Sequence, residues 1–550
     1  MTIRTKSIDH LGIVSGICKE LGLVELIDSL VSSDPQRKLS VGEGIYALIL
    51  NGLCFGNSTL YLSGQYFEDK PVEHLFRSGL EASDFTSHSL SSSLDAVYDY
   101  GIQKLFLQIS LRAIQRYGIV STSTHLDGTT FMVHGDKYKS EGLGEISLKK
   151  GHNKQHRHDL NQFVLELICS NREGIPLFMS VESGNETDKT AFSKVLQEYQ
   201  DELLGQKSTL SKDNNGHVVA DSALYSADTL QKINHILWIS RVPETIKSAR
   251  KEIELSKSRT WTRFEGHEGY KYQEVTSNYG GQNQRWLILY SEASAKSGLL
   301  SVESAVMKQE MNLEKGSKSL YKEVYESELA AQSGVHKWFK GLKSSEKAYL
   351  KVGTIRVQKH EKYAVGKRKV DAQPEKTTFS IQNIQFERQE EAIDKAKHGK
   401  ATFILATNDL DKKELPPDKW LTLYKDEQQN AERGFKFLKD PVFMLDKIFL
   451  KLPRRIMAMG MVMVLCLLVY TLAQFKFRKA LIDQRKTVNN QLNKPTQRPT
   501  MRWIFSLLRG IQIAYVEIGN KTHRNIINLT AEQLYILNVF GGEIQGFYTL

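Results

Sequence analysis

The sequence predicts an α/β protein in which a mixed sheet flanked by helices follows an all-helical N-terminal domain. Three observations support this fold class. Apolar residues at helical spacing dominate residues 1–118, strand-like runs alternate with helical patterns over 119–243, and a β-rich segment fills 244–400. Because 550 residues are too many for one hydrophobic core, we expect several domains.

The N-terminal region is expected to consist of amphipathic helices. Ser40 and Glu43 have the spacing of a capping box, which predicts a helix start. Two further helices are expected between Ser91 and Tyr117, with a break near Gly101. The first helix of the region is predicted from the apolar residues Leu11, Ile13, Ile17, Leu21 and Leu23. The role of the region stays open between DNA binding or dimerisation and a purely structural scaffold.

Two strand-like runs that follow each carry a carboxylate. Ser123–Val133 is rich in β-branched and aromatic residues and holds Asp127 in its middle. His217–Ala223 reads as a short apolar strand that ends in Asp221. Since a buried acid is costly unless it is paired or bound to a metal, these positions are candidates for a site.

The elements around these strands follow from turn and breaker residues. Gln162–Ser170 and Ile175–Val181 are predicted to form a hairpin, because the residues between them suit a tight turn. The sheet resumes with Ala401–Asn408, so 244–400 is an insertion. Asp418 follows two prolines and is predicted to cap the next helix.

That helix, between Tyr424 and Lys439, carries one acid and several cations. Glu432 and Lys439 are seven residues apart, about two turns, so they point the same way. Arg433 and Lys436 lie beside them. The acid can hold a divalent ion while the cations hold phosphate. Taken alone, the pattern also suits a solvated face with a Glu–Lys pair.

Two acids on strands and one on a helix together suggest a carboxylate cage. Such hard oxygen ligands favour Mg²⁺ or Mn²⁺ over zinc. The spacing of His152, His156 and His158 fits no zinc pattern. With Lys154 and Arg157, these histidines are expected to line the substrate side or to cover a loop.

Seven short motifs follow one another within residues 1–510. They are Leu126–Phe131, Gly151–Leu160, Gly184–Lys189, Ala220–Ala223, Ser240–Pro243, Ala406–Asp409 and Ala431–Lys439. In this order and spacing they resemble bacterial DDE transposases of insertion sequences, in the IS-four superfamily and its branch with a helical N-terminal domain.

The resemblance implies a ribonuclease-H-like core with Asp127, Asp221 and Glu432 as catalytic acids and ligands of two Mg²⁺ (or Mn²⁺) ions. It implies cleavage and strand transfer at terminal inverted repeats, double-stranded DNA as partner, and a homodimer in the synaptic complex. The division expected is 1–118 helical domain, 119–243 first part of the core, 244–400 insertion, 401–475 second part of the core and 476–550 basic C-terminal region.

The resemblance also suggests DNA contacts, with two departures. Tyr424 stands eight residues before Glu432 where the family has seven, and Gln428 fills the position of the family's Arg. Trp261 and Trp286 either stack on an unpaired base or belong to an ordinary core. The predicted DNA contacts are Tyr424, Arg433, Lys436, Lys439, Lys154, Arg157 and Trp286.

Composition agrees with a polyanionic partner. Lys and Arg number 74 against 63 acids, which gives a net charge of +11 and a pI near 9.1. The basic residues of 476–502 either contact phosphate or form a solvated linker, and the sequence leaves both interpretations open. The segment Trp503–Tyr515 that follows is predicted to be a helix. The four cysteines are far apart and are expected to be reduced thiols of a bacterial cytoplasmic protein.

One segment is ambiguous. Ile456–Phe475 has twenty residues without a charge and is long enough to span a membrane. A helix buried on all sides of a large core has the same composition, and we expect this alternative, with no membrane partner. The functions that remain beside a transposase are a nuclease that cuts without joining, an inactive DNA-binding derivative and a membrane-anchored protein.

Overall fold

A computed structural model shows that the chain divides into two compact units. The first unit holds Met1–Ser240, Asn278–Gln284 and Thr407–Leu550, and the second holds Arg241–Ser277 and Arg285–Ala406. The finer division into five parts stays a prediction. The structure describes residues 2–549 except 33, 55–58, 134–137, 139–141, 143, 152–156, 158, 172–173, 187, 206–215, 365–372, 441–449 and 519–520, and also except the side chains of 61, 188–191, 203–205 and 426–433.

The N-terminal region is helical, as predicted, apart from one strand at its start. The capping box at Ser40 is confirmed: its side chain accepts from the Glu43 backbone N–H at 3.0 Å, and the Glu43 carboxylate accepts from the Ser40 backbone N–H at 2.9 Å. The elements are β1 (Thr2–Ser7), α1 (Leu11–Leu21), α2 (Leu23–Leu30), α3 (Val41–Leu53), α4 (Ser63–Glu68), α5 (Val72–Leu75), α6 (Ser87–Tyr100) and α7 (Ile102–Tyr117).

The central sheet of the first unit has ribonuclease-H-like topology. Strand β4 pairs antiparallel with both β2 and β5, β6 runs parallel to β2, and β7 runs parallel to β6. The order β5-β4-β2-β6-β7 includes the predicted hairpin β4–β5. The elements are β2 (Ser123–Val133), β3 (Lys149–Lys150), β4 (Asn161–Ser170), β5 (Pro176–Ser183), α8 (Asp188–Gly205), β6 (His217–Ala220), α9 (Ala227–Lys232) and β7 (Trp238–Arg241).

The second unit combines a small sheet, three longer helices and a long hairpin. Its sheet has the order β13-β10-β9-β8, and β11 and β12 form a two-stranded sheet. The elements are α10 (Lys247–Leu255), β8 (Thr262–Arg263), β9 (Tyr270–Tyr279), β10 (Gln282–Ser291), α11 (Glu292–Ser317), α12 (Glu328–Gly341), β11 (Leu350–Lys362), β12 (Lys376–Arg388), α13 (Glu390–Ala401) and β13 (Thr402–Thr407).

The C-terminal part returns to the first unit, where β16 pairs with both β1 and β17. The elements are α14 (Pro417–Leu438), α15 (Pro453–Asp483), β14 (Val488–Asn489), β15 (Pro495–Thr496), α16 (Met501–Leu507), β16 (Gln512–Ile518), β17 (Lys521–Ile527), α17 (Ala531–Phe540) and α18 (Gly542–Gly546).

The predicted helix over Trp503–Tyr515 is wrong in its second half. The chain turns at Gly510, whose φ of +88° suits glycine, and its backbone N–H donates to Asp9 at 2.7 Å. Strand β16 follows, because pairing with β1 and β17 overrides the helical pattern. Part of the basic stretch is anchored within the unit, since Arg502 forms an ion pair with Asp440 at 2.8 Å.

The long apolar segment is a core helix, as predicted. Helix α15 is long and apolar enough to cross a membrane, yet 89% of its most apolar window is buried inside the first unit. It packs against α3, α6, α7 and β5. All four cysteines are buried and carry free thiols.

Candidate active site

The parallel pairing of β2 and β6 brings two predicted acids together. Leu126 and Ala220 are register partners, so Asp127 and Asp221 occupy the next matching position along the two strands. Paired strands lie about 4.8 Å apart, and matching positions face the same side of a sheet. Both carboxylates are half-buried. The sheet therefore sets two carboxylates side by side on one face.

Backbone donors fix the orientation of these acids. Asp127 Oδ1 accepts from the Gly128 N–H at 2.9 Å, and Asp221 Oδ1 accepts from the Ala223 N–H at 2.8 Å. The hydroxyl of Ser240, buried on β7, donates to the Asp221 carbonyl oxygen at 2.7 Å. The chain is thus held at the point where it leaves β6.

A predicted cation lies on the same face of β2. Lys439 Nζ donates to Thr129 Oγ1 at 2.6 Å and lies 5.3 Å from the centroid of the Phe131 ring. Asp127, Thr129 and Phe131 are every second residue of β2, so their side chains lie on the same face of the sheet. The structure therefore joins Lys439 at the end of α14 to the strand that carries the first acid.

Helix α14 packs on this part of the sheet through β2, β4 and β6. Phe435 and Leu438 are buried in the core that covers it. The prediction that Asp418 caps the helix is wrong: Pro416 is the N-cap residue, no side chain caps it, and Asp418 lies in the first turn. Proline suits this start because its missing N–H has no partner in a first turn.

The third predicted acid is placed by its backbone alone. Glu432 lies within α14, seven residues before Lys439, but its side chain and those of Arg433 and Gln428 are outside the described residues. Among the side chains that the structure describes, no group of three His, Cys, Asp or Glu is placed to hold a metal. The pair Asp127 and Asp221 supplies hard oxygen donors of the kind that Mg²⁺ prefers.

The remaining predicted DNA contacts differ in their surroundings. Lys436 is exposed and Tyr424 is half-buried on α14. Arg157 is exposed and forms a two-point ion pair with Asp159, at 2.7 and 2.8 Å, which lowers the pKa of Asp159 to about 2. Lys154 and the three nearby histidines are outside the described residues.

The two tryptophans lie in the second unit. Trp286 is 1% exposed, so its ring is packed inside the unit and does not present a face to a base. This burial agrees with the alternative of an ordinary core residue, and a stacking role for Trp286 stays a prediction. Trp261 is half-buried, with ring contacts to Tyr290 at 5.8 Å and His398 at 6.4 Å.

Sequence reasoning missed two residues that support the site, Thr129 and Ser240. The signal for Thr129 was present, since its place two residues after Asp127 on a strand puts both on one face. Ser240 opens one of the seven motifs, but that motif gave it no role, because its contact with Asp221 requires the parallel pairing of β6 and β7.

The opposite face of the sheet holds a second set of acids. Glu166 on β4 and Glu182 on β5 are 0% and 4% exposed. Glu182 accepts hydrogen bonds from the Ser180 hydroxyl at 2.6 Å and from Lys194 Nζ at 2.8 Å. Burial raises the pKa of the neighbouring Glu198. Glu166 and Glu182 lie within a ladder of paired strands, whereas Asp221 lies beyond the end of a strand.

Comparison with known proteins identifies two regions. A family model described as "Transposase DDE domain" matches residues 123–469, and a domain of unknown function (DUF4277) matches residues 3–111. No curated protein matches the sequence. A solved structure, titled as a cryo-EM structure of the piggyBac transposase synaptic complex with hairpin DNA, is similar at a TM-score of 0.33 and 7% identity, over 92% of this chain and 82% of that one. The transposase match covers more than half of the chain and contains both aligned acids, so the chain belongs to the family of transposases with a DDE domain.

Proposed function

We propose that this transposase binds the terminal inverted repeats of an insertion sequence and catalyses metal-dependent strand cleavage and strand transfer. The observation that carries the proposal is the alignment of Asp127 and Asp221 on one face of the sheet, with Lys439 held on that same face. Neighbouring carboxylates with a cation nearby suit a phosphodiester substrate and a hard divalent ion.

Helix geometry supports Glu432 as the third acid. Seven residues at 100° each amount to nearly two full turns, so Glu432 and Lys439 leave α14 in nearly the same direction. The Lys439 side chain reaches Thr129 on the Asp127 face, and α14 also packs against β6, after which Asp221 follows. Glu432 is therefore proposed to complete the set of Asp127, Asp221 and Glu432.

The residues of this chain divide the work. Asp127, Asp221 and Glu432 are proposed to hold Mg²⁺ or Mn²⁺, two ions in all, through their carboxylate oxygens. When bound, the metal activates a water or a 3′-hydroxyl and stabilises the leaving oxygen. Lys439 and Lys436 are proposed to hold flanking phosphates, with Tyr424 and Arg433 as further contacts. Positioning and charge stabilisation thus account for most of the proposed catalysis.

Double-stranded DNA is the proposed partner, both as transposon ends and as target. The net charge of +11 supports a polyanionic ligand. We also propose that two copies act together, because a transposon has two ends to be cut and joined, and that the protein works in the cytoplasm, where the DNA is accessible.

The test is cleavage of the terminal-repeat DNA of the element by the purified protein, with Mg²⁺ or EDTA. Wild type is expected to cut at the element boundary only with Mg²⁺, and Glu432→Gln is expected to bind the ends without cutting. Glu414→Gln replaces an exposed Glu just before α14 and serves as the matched control that still cuts. Cutting without any joined product would favour a nuclease, and binding without cutting by wild type would show an inactive derivative.

A further inference from the structure

The hairpin β11–β12 in the second unit has two faces of different chemistry. Each strand has thirteen residues, which corresponds to a ribbon about 40 Å long. The strands pair antiparallel from Leu350↔Arg388 to Lys362↔Lys376, with irregularities near Gly353 and Gln382. Side chains therefore alternate between an inner face and an outer face.

The inner face is accounted for by packing within the unit. Ile381 and Ile384 are 3% and 6% exposed and belong to a core with Ala331 and Val335 of α12. Val352, Ile355, Val357 and Phe386 pack against the same core. The inner face thus anchors the ribbon, and its outer face is directed away from that core.

The outer face is polar and basic. Register and alternation place eleven residues there beyond the Lys351–Glu387 ion pair at the base of the hairpin. Nine of the eleven are exposed, and none of them carries a carboxylate. Glu361 belongs to the inner face, where it pairs with Lys359. The eleven residues of this face are Thr354, Arg356, Gln358, His360, Lys362, Lys376, Thr378, Ser380, Gln382, Asn383 and Gln385.

The irregularity after Arg356 concentrates amide side chains. Arg356 pairs with Asn383, whereas Val357 pairs with Ile381, so Gln382 is the extra residue of a bulge. Gln382 and Asn383 are both exposed and follow one another on the outer face, opposite Arg356 and next to Gln358. The hairpin therefore carries a cluster of one guanidinium and three amides at its middle and two lysines toward its far end.

This composition matches what reads base edges in duplex DNA. The major groove is about 12 Å wide and admits a two-stranded ribbon. Arg forms two hydrogen bonds with guanine, and Asn or Gln with adenine, while Lys holds phosphate without reading sequence. A solvated face of ordinary composition would mix acids with these cations, because both signs of charge promote solubility.

We propose that the outer face of the hairpin inserts into the major groove of the terminal DNA of the element and contributes to recognition of its sequence. Arg356, Gln358 and Asn383 contact base edges, and Lys362 and Lys376 contact phosphates on either side. This inference rests on the proposed function, to which it adds the surface that selects the DNA.

The test measures equilibrium binding of the full chain in EDTA, so that cleavage plays no part. Two duplexes are compared, the terminal repeat and a scrambled duplex of the same length and composition, at several salt concentrations. The variants are Arg356→Ala, the double variant Gln358→Ala with Asn383→Ala, and the double variant Lys362→Ala with Lys376→Ala. Asn312→Ala, at an exposed amide on α11, is the matched control.

The two sets of residues are expected to behave differently. Loss of a base contact lowers affinity for the terminal repeat by roughly 5- to 150-fold and leaves affinity for the scrambled duplex nearly unchanged. Loss of the two lysines weakens binding to both duplexes by the same factor. It also reduces the slope of log affinity against log salt concentration by about 2. Guanine N7 atoms that wild type protects from methylation are expected to become reactive with Arg356→Ala.

Two outcomes would overturn the proposal while leaving the proposed function in place. They are unchanged discrimination in the Arg356 and amide variants, and equal losses on both duplexes in those variants. A wild type that binds both duplexes equally well, or that binds neither, would instead count against the proposed function as well. Unchanged melting temperatures of the variants exclude misfolding as the cause of any loss.

Discussion

The two faces of the central sheet carry acids in two different states. Asp127 and Asp221 are half-buried at matching positions and are oriented by backbone N–H groups. Glu166 and Glu182 on the other face are sealed within paired strands, and Glu182 is neutralised by Lys194. Residue type alone therefore does not mark a site, since only accessible carboxylates can take a metal and a substrate.

Neutralising one acid on each face tests whether the two faces have separate roles. Asp221→Asn is expected to lower Mg²⁺-dependent cleavage by about 10³-fold, as expected when a principal charge stabiliser is lost. Its melting temperature is expected to hold or rise, because a carboxylate beside another carboxylate is a repulsive neighbour. Steady-state cleavage and thermal unfolding without metal measure the two effects.

Glu182→Gln is expected to give the reverse pattern. Removal of a buried carboxylate that accepts from Ser180 and Lys194 costs about 1–2 kcal/mol of unfolding free energy, a figure discounted because the Lys194 side chain is half-exposed. Cleavage below the melting temperature is expected to remain. If Glu182→Gln lost cleavage without losing stability, the two faces would not have separate roles.

The position of Asp127 in the middle of a strand could be predicted from the sequence, because the strand pattern of 123–133 and its isolated acid are local features. It could not show that Lys439 contacts Thr129, because 310 residues separate them and only tertiary packing joins them. The helix predicted over 503–515 failed for the same reason, since β1, about 510 residues away, pairs with β16. Glu166 and Glu182 gave no signal of burial, because the strand opposite Glu166 and the lysine that pairs with Glu182 belong to other elements.

A buried histidine, whose side chain is positively charged when protonated, makes the stability of the protein depend on pH. His10 is 1% exposed and its Nε2 lies 2.8 Å from the Leu53 carbonyl oxygen, to which it donates. Burial lowers its pKa from 6.5 to about 4. Below pH 6.5 the unfolded chain therefore binds a proton that the folded chain refuses, and stability falls as the pH drops toward 4. The total loss is about 3 kcal/mol.

Denaturant unfolding from pH 8 to pH 4 measures this loss. His10→Gln has no proton to gain, so the difference in unfolding free energy between wild type and this variant is expected to shrink by about 3 kcal/mol over that range. His523→Gln, at an exposed histidine on β17, is the control that should leave the pH dependence unchanged. A pH profile unaffected by His10→Gln would mean that the buried ring does not resist protonation.

Gly128 on β2 separates Asp127 on one face of the sheet from Glu166 on the other. It follows Asp127 and pairs with Glu166, and a Cβ at Gly128 would lie 2.5 and 2.6 Å from the Glu166 carboxylate oxygens. Gly128→Ala is therefore expected to cost about 1–2 kcal/mol of unfolding free energy through overpacking. Gly399→Ala on α13 should instead be neutral or stabilising, because beyond its own helix backbone and chain neighbours no described atom lies within 4 Å of the added Cβ. If the clash is the cause, adding Glu166→Ala to Gly128→Ala gives a favourable coupling of about 1 kcal/mol in a double-mutant cycle. Additive losses would mean that Glu166 does not crowd Gly128, and that the carboxylate next to this position leaves room for a larger side chain.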